Sequence, residues 1–96
     1  MSDQEPGFVY VIATVTRGGS KTYVGWALDP DRRLEQHNSG KGAKSTRGRF
    51  WHLLYVERHD SRQAAMSREW HLKRDRALRK QLVILWDGGN QRYTYT

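Results

Sequence analysis

Cysteine is absent from this chain, which rules out a disulfide framework, a cysteine zinc site and a thiol nucleophile, and leaves the fold to stand on packing alone. Long apolar runs are missing as well. Nothing approaches the roughly 18 consecutive apolar residues of a membrane span, and the opening stretch Met1 to Pro6 is acidic and polar rather than basic and then apolar. The expectation is a soluble, intracellular, cytoplasmic protein. Acidic residues are scarce, 10 Asp and Glu against 17 Lys and Arg, for a net charge of +7 and a pI near 10.1. A field of that sign concentrates phosphates and steers association with polyanions, so nucleic acid is the natural partner. Basic balance also serves solubility, and placement of the charges has to decide. Internal repeats and long linkers are lacking too. The 96 residues therefore read as one domain, 1–96, with its core at about 8–85 and a tail, 86–96, left unassigned.

What the chain does contain begins with Phe8 to Val15, nearly continuous in Val, Ile and aromatic residues, the pattern of a strand buried on both faces. Thr16 to Ser20 carries the glycines of a hairpin turn, and Lys21 to Trp26 returns as the second strand. With Arg17 opposite Ser20, the numbers 10 and 23 share the parity of the pair, so Tyr10 and Tyr23 project from one face. Asp29 followed by Pro30 starts a helix that ends at Asn38 to Gly40. Residues 39–49 hold four Lys or Arg and three Gly, a loop too polar for a packed element. Trp51 to Arg58 is a third strand. Asp60 with Gln63 forms a capping box for a long helix through about Arg76, and Leu78, Leu82, Val83 and Leu85 suggest a short helix packed behind it. Asp87 to Asn90 looks like a turn.

Several of these residues carry chemistry. With Leu34 of the first helix turned to the core, a period of about 100° per residue puts Arg33 and His37 together along its border and Arg32 on the opposite face. A placed guanidinium offers forked donors to a scissile phosphate; the bland alternative is a surface pair with Asp29 or Asp31. On the long helix, Ala65, Met66 and Leu72 mark the apolar stripe and Glu69 falls near its centre. A carboxylate there needs a cation, either Lys73 one turn on or a metal ion. One carboxylate with waters suits magnesium. Lys41, Lys44, Arg47 and Arg49 of the loop, interleaved with small residues, can reach a phosphodiester backbone, as a merely solvated loop also could. Trp26, Trp51, Trp70 and Trp86 read as core or half-core residues, and His52, His59 and His71 as surface residues without zinc-ligand spacing.

Val9-Tyr10, Tyr23-Val24-Gly25, Arg33 eight positions after that glycine, His37 four later and Glu69 on the following long helix together resemble the GIY-YIG nuclease superfamily. The run from His37 to Arg47 resembles especially its small stand-alone, YhbQ-like branch. That resemblance implies an α+β fold in which a three-stranded antiparallel sheet is flanked by helices, in the order β-β-α-β-α-α. It implies a divalent-metal-dependent endonuclease, a hydrolase of phosphodiester bonds in DNA at work in DNA repair or processing. Branched, nicked or single-stranded DNA are the candidate substrates. Glu69 would then hold Mg2+ or Mn2+, Arg33 would bind the scissile phosphate, Tyr10 or Tyr23 with His37 would activate or orient water, and Gly25 would allow a close approach. Phe8 stands where the superfamily name has glycine, and Asn90 is not assigned to the asparagine that many relatives carry late in the domain. Larger relatives attach a DNA-recognition domain for which this length leaves no room, so a protein partner is one source of specificity. The rival readings are a non-catalytic nucleic-acid-binding module and an interaction domain; neither explains Glu69 on an apolar stripe.

Overall fold

A computed structural model describes residues 5–89 and 93–95. Strand β1 (Gly7–Thr16) turns tightly into β2 (Gly19–Ala27), followed by α1 (Pro30–Asn38), one 3₁₀ turn (Lys44–Thr46), β3 (His52–His59), α2 (Arg62–Lys73), α3 (Arg76–Gly89) and β4 (Tyr93–Tyr95). The sheet order is β2-β1-β3-β4. The first three strands pair antiparallel, as expected, and the short β4 adds to β3 in parallel.

Strand β1 is apolar on both faces because both faces are covered. Val9, Val11 and Ala13 pack with Val24, Ala65, Leu72 and Leu82 beneath α2 and α3. Tyr10 and Ile12 pack on the other face with Ala27, Trp51, Leu53 and Val56, joined by Tyr23 and by Leu34 of α1. The β1–β3 register shifts between Val11 and Ile12, where Val11 faces Tyr55 and Ile12 faces Leu53. The extra residue lets Leu54 and Tyr55 both enter the cluster under α2 and α3.

Local signals account for most boundaries. The Asp29 carboxylate accepts from the Arg32 N–H at 3.1 Å with Pro30 in the first turn, so α1 starts where expected. Five expectations need correction. Thr16 pairs with Gly19, so the hairpin register lies two residues from the one read with Arg17 opposite Ser20; an even shift leaves Tyr10 and Tyr23 on one face. The cap of α2 is Ser61, which accepts from the Ala64 N–H at 3.1 Å, while Asp60 pairs with Arg58. The long helix stops at Lys73, because Asp75 accepts from the Leu78 N–H at 3.0 Å and caps a separate α3. That third helix is no short one, and it carries Asp87 to Gly89 where a turn was expected. Asn90 lies outside the described residues. No helix among them is long and apolar enough to cross a membrane.

Candidate active site

Tyr10 is 1% exposed, and its hydroxyl lies 2.8 Å from His37 Nε2. His37 Nδ1 lies 2.8 Å from Thr46 Oγ1, and the Thr46 hydroxyl donates to the Ala43 carbonyl at 2.8 Å. A hydroxyl has one proton. Since Thr46 gives its proton to Ala43, it accepts from His37 Nδ1–H, which leaves Nε2 with a lone pair that accepts from the Tyr10 O–H. The four groups form a one-directional buried chain, and it fixes the tautomer of His37. Two glycines let the chain close. A Cβ on Gly25 would strike the Tyr10 hydroxyl and lie 2.6 Å from its Cζ, while one on Gly42 would strike His37 Nδ1 and lie 2.9 Å from its Cα.

Tyr23 is half-buried on the same face. Its ring stands edge-on to His37 at a centroid separation of 5.0 Å and lies 6.4 Å from the Tyr10 ring. The charge of exposed Arg33 bears on both the Tyr10 hydroxyl and His37. Glu69 belongs to α2, which packs on β1 and β2, and its charge reaches the Tyr10 hydroxyl too. Tyr10, Tyr23 and His37 thus meet in one cluster, and the charges of Arg33 and, more weakly, of Glu69 bear on its buried phenol. Burial pushes the Tyr10 phenol well above its ordinary range, Tyr23 and Glu69 add to that rise, and Arg33 opposes it without cancelling it. A tyrosine acting as general base needs a depressed pKa, and at Tyr10 the shift has the opposite sign because desolvation outweighs the guanidinium. Burial and then Arg33 lower the pKa of His37, so its imidazole is neutral at pH 7.

Glu69 sits at the border of the α2 stripe rather than sealed within it. Its side chain is 20% exposed, Oε2 lies 3.5 Å from Lys73 Nζ, and Ala65 and Leu72 beside it are buried, whereas Met66 points to solvent. Its Oε1 accepts no hydrogen bond from the described residues, which leaves an oxygen for a hard cation. No group of three or more His, Cys, Asp or Glu with metal-holding geometry occurs among the described residues. A single carboxylate of this kind could hold a hydrated divalent cation only with most of the ligands supplied by water.

The loop 39–49 is more than a solvated strap. Thr46 is fully buried against His37, the Trp51 indole N–H donates to the Thr46 carbonyl at 2.9 Å, and the Asn38 amide bonds both the Trp51 N–H and its carbonyl at 2.6 and 3.0 Å. Lys41, Lys44, Arg47 and Arg49 point outward from this anchored frame, and no ion pair among the described residues engages them. Thr46, Gly42, Asn38 and Trp51 are the supporting residues that sequence reasoning missed. Their one signal was the unbroken run from His37 to Arg47. Elsewhere, Trp51 is core, Trp26 and Trp86 are half-buried, and Trp70 departs from expectation at 54% exposed, with the Arg74 guanidinium 3.7 Å over its ring. His59 is not a bare surface residue either. It bonds Glu57 at 2.7 Å beside Arg68, so this carboxylate ties β3 to α2.

The sequence model of the GIY-YIG catalytic domain matches residues 6–81. The chain belongs to the GIY-YIG family. A UPF0213 protein of Natronomonas pharaonis is 40% identical over 78 residues, 79% of this chain and 88% of that protein. One from Streptococcus pyogenes is 39% identical over 79 residues, 81% of this chain and 83% of the other. The solution NMR structure of a UPF0213 protein from Bacillus halodurans is 38% identical, covers 88% of this chain and 89% of its own, and gives a TM-score of 0.46. The GIY-YIG domain places this small chain in a nuclease superfamily. In GIY-YIG terms, Phe8 at the position of the first glycine is half-buried against the Tyr10 cluster, where an apolar ring has a use.

The neutral His37 of this GIY-YIG site has a consequence for stability. Its folded pKa lies below the unfolded value of about 6.5, so the unfolded chain takes up the proton first as pH falls. The His37 contribution is full above about pH 6.5 and is lost as pH drops toward the folded value. The melting temperature of the wild type should therefore fall more steeply between neutral pH and pH 5 than that of His37→Gln; parallel curves in differential scanning calorimetry would contradict the buried neutral imidazole.

Proposed function

We propose that this GIY-YIG protein is a divalent-metal-dependent endonuclease that hydrolyses phosphodiester bonds in DNA, in DNA repair or processing. The observation that carries the proposal is the Tyr10–Tyr23–His37 cluster, on whose buried phenol the charges of Arg33 and Glu69 bear, in a protein of strongly positive charge. Arg33 is exposed and forked, suited to hold the scissile phosphate and to meet the charge that grows on it during attack. Tyr10 has committed its proton to His37 and is buried, so it acts by position. Tyr23 is the phenol left at the surface, and its oxygen orients the attacking water, with His37 holding its ring edge-on. Glu69 would hold Mg2+ or Mn2+, which when bound supplies Lewis-acid stabilisation of the phosphoryl oxygen. Purified protein should open covalently closed circles of single-stranded DNA when either metal is present and leave them intact in chelator; single-stranded circles that survive every divalent metal would refute the proposal.

Phosphate contacts by the loop are a separate expectation. Replacing two of Lys41, Lys44, Arg47 and Arg49 by alanine should weaken DNA binding for all sequences alike. The slope of log affinity against log salt should become shallower by about 1.8, the share of two phosphates. An unchanged slope in a fluorescence titration would assign these side chains to solvent.

A further inference from the structure

A second groove opens at the end of the sheet where β1 finishes and β3 begins. Thr14 follows Tyr10 and Ile12 on one face of β1, about 13 Å along an extended strand from Tyr10, and its buried hydroxyl donates to the Phe50 carbonyl at 2.6 Å. The loop that follows α1 is thus tied twice, by Thr46 to His37 and by the Phe50 carbonyl to Thr14. Beside the second tie lies a cavity of about 360 Å³ lined by Thr14, Val15, Gly48, Arg49, Phe50 and His52. Phe50 is 64% exposed although its backbone is fixed. The His52 ring stands edge-on to it at 5.0 Å and continues to Trp86 at 5.3 Å. A single exposed phenylalanine needs no explanation. Here it joins a supporting histidine, a flanking arginine, an open cavity lined by no acidic residue, and a line of loop cations leading back to the site.

We infer that this groove is a stacking subsite for an unpaired nucleobase of the substrate strand, with Phe50 as the platform, His52 as its support and Arg49 on the adjoining phosphate. The inference rests on the nuclease reading above and narrows its substrate class. A base paired within continuous duplex keeps both faces covered by its neighbours, whereas an unpaired base can offer one to an aromatic ring. The substrate is then DNA with a single-stranded segment beside the scissile phosphate.

The test is affinity in chelator, where no cleavage occurs, for a single-stranded DNA oligonucleotide, an RNA of the same sequence and the blunt duplex. Phe50→Ala should weaken single-strand binding by roughly 10-fold, within the range for loss of one stacked base, and leave duplex binding nearly unchanged. Phe50→Trp should retain wild-type affinity, and Lys41→Ala should weaken both DNA forms alike. Equal loss on single strand and duplex, no loss on either, or tighter binding of the RNA would overturn the inference. Its fate is separable from that of the nuclease reading. Stacking without cleavage on addition of metal would sink only the enzyme, and cleavage with Phe50-independent affinity would sink only the subsite.

Discussion

Arg33→Ala is expected to lose DNA cleavage by ~10²-fold or more, the usual effect of removing one transition-state donor, while Arg32→Ala loses little. Both arginines are exposed on the same turn of α1, so general charge treats them alike. They differ in direction. It is the Arg33 guanidinium whose charge bears on the Tyr10 hydroxyl and on His37. Because Arg33 is a surface residue, its removal should cost the fold no more than about 0.5 kcal/mol, and the loss should appear in single-turnover rate at matched folded protein. Arg33→Lys should recover only part of the rate, since an ammonium lacks the forked donors that fit two phosphate oxygens. Equal effects of Arg32→Ala and Arg33→Ala would show that bulk positive charge, not a placed guanidinium, carries the activity.

For Glu69→Gln the two roles give different signs. The pair with Lys73 is an i,i+4 contact at 3.5 Å whose lysine is largely solvated, worth only ~0.2 to 0.5 kcal/mol. Losing it should barely move the melting temperature of the metal-free protein. A metal ligand instead makes stability depend on metal, since a cation that binds only the folded state raises its melting temperature by mass action. The wild type should be stabilised by millimolar Mg2+ or Mn2+ and Glu69→Gln should not. A Glu69→Gln protein that melts far below the wild type in chelator would assign the residue to structure.

The α+β fold was legible because its signals are local. The apolar run of β1, the Asp29-Pro30 start of α1 and the period of α2 each lie within a few residues and need no partner to be read. Parity alone placed Tyr10 and Tyr23 on one face, even though the turn register was off by two. Less legible was whatever depends on contacts between distant segments. Thr46 looked like one more polar loop residue because its partner lies nine residues away and only the folded loop buries it. The direction of the Tyr10–His37–Thr46–Ala43 chain follows from counting protons once the distances are known, and no sequence pattern carries it. The ionisation of Tyr10 was out of reach for the same reason. Adjacency to a cation could be read from the sequence, but the depth of burial that outweighs it could not. The two-helix division was read correctly but its boundary was placed about three residues late, because the basic run from Lys73 to Arg76 hid the Asp75 cap.

The central claim is that this site cuts a phosphodiester bond with Glu69 holding the metal. The most direct test compares wild type and Glu69→Gln, at equal folded protein, for single-turnover cleavage of an end-labelled DNA bearing a single-stranded segment, in chelator and then with Mg2+ or Mn2+ added. The account predicts discrete internal cleavage by the wild type only when metal is present, and none by Glu69→Gln under any condition. Metal-dependent cleavage by a well-folded Glu69→Gln protein at the wild-type rate would contradict it.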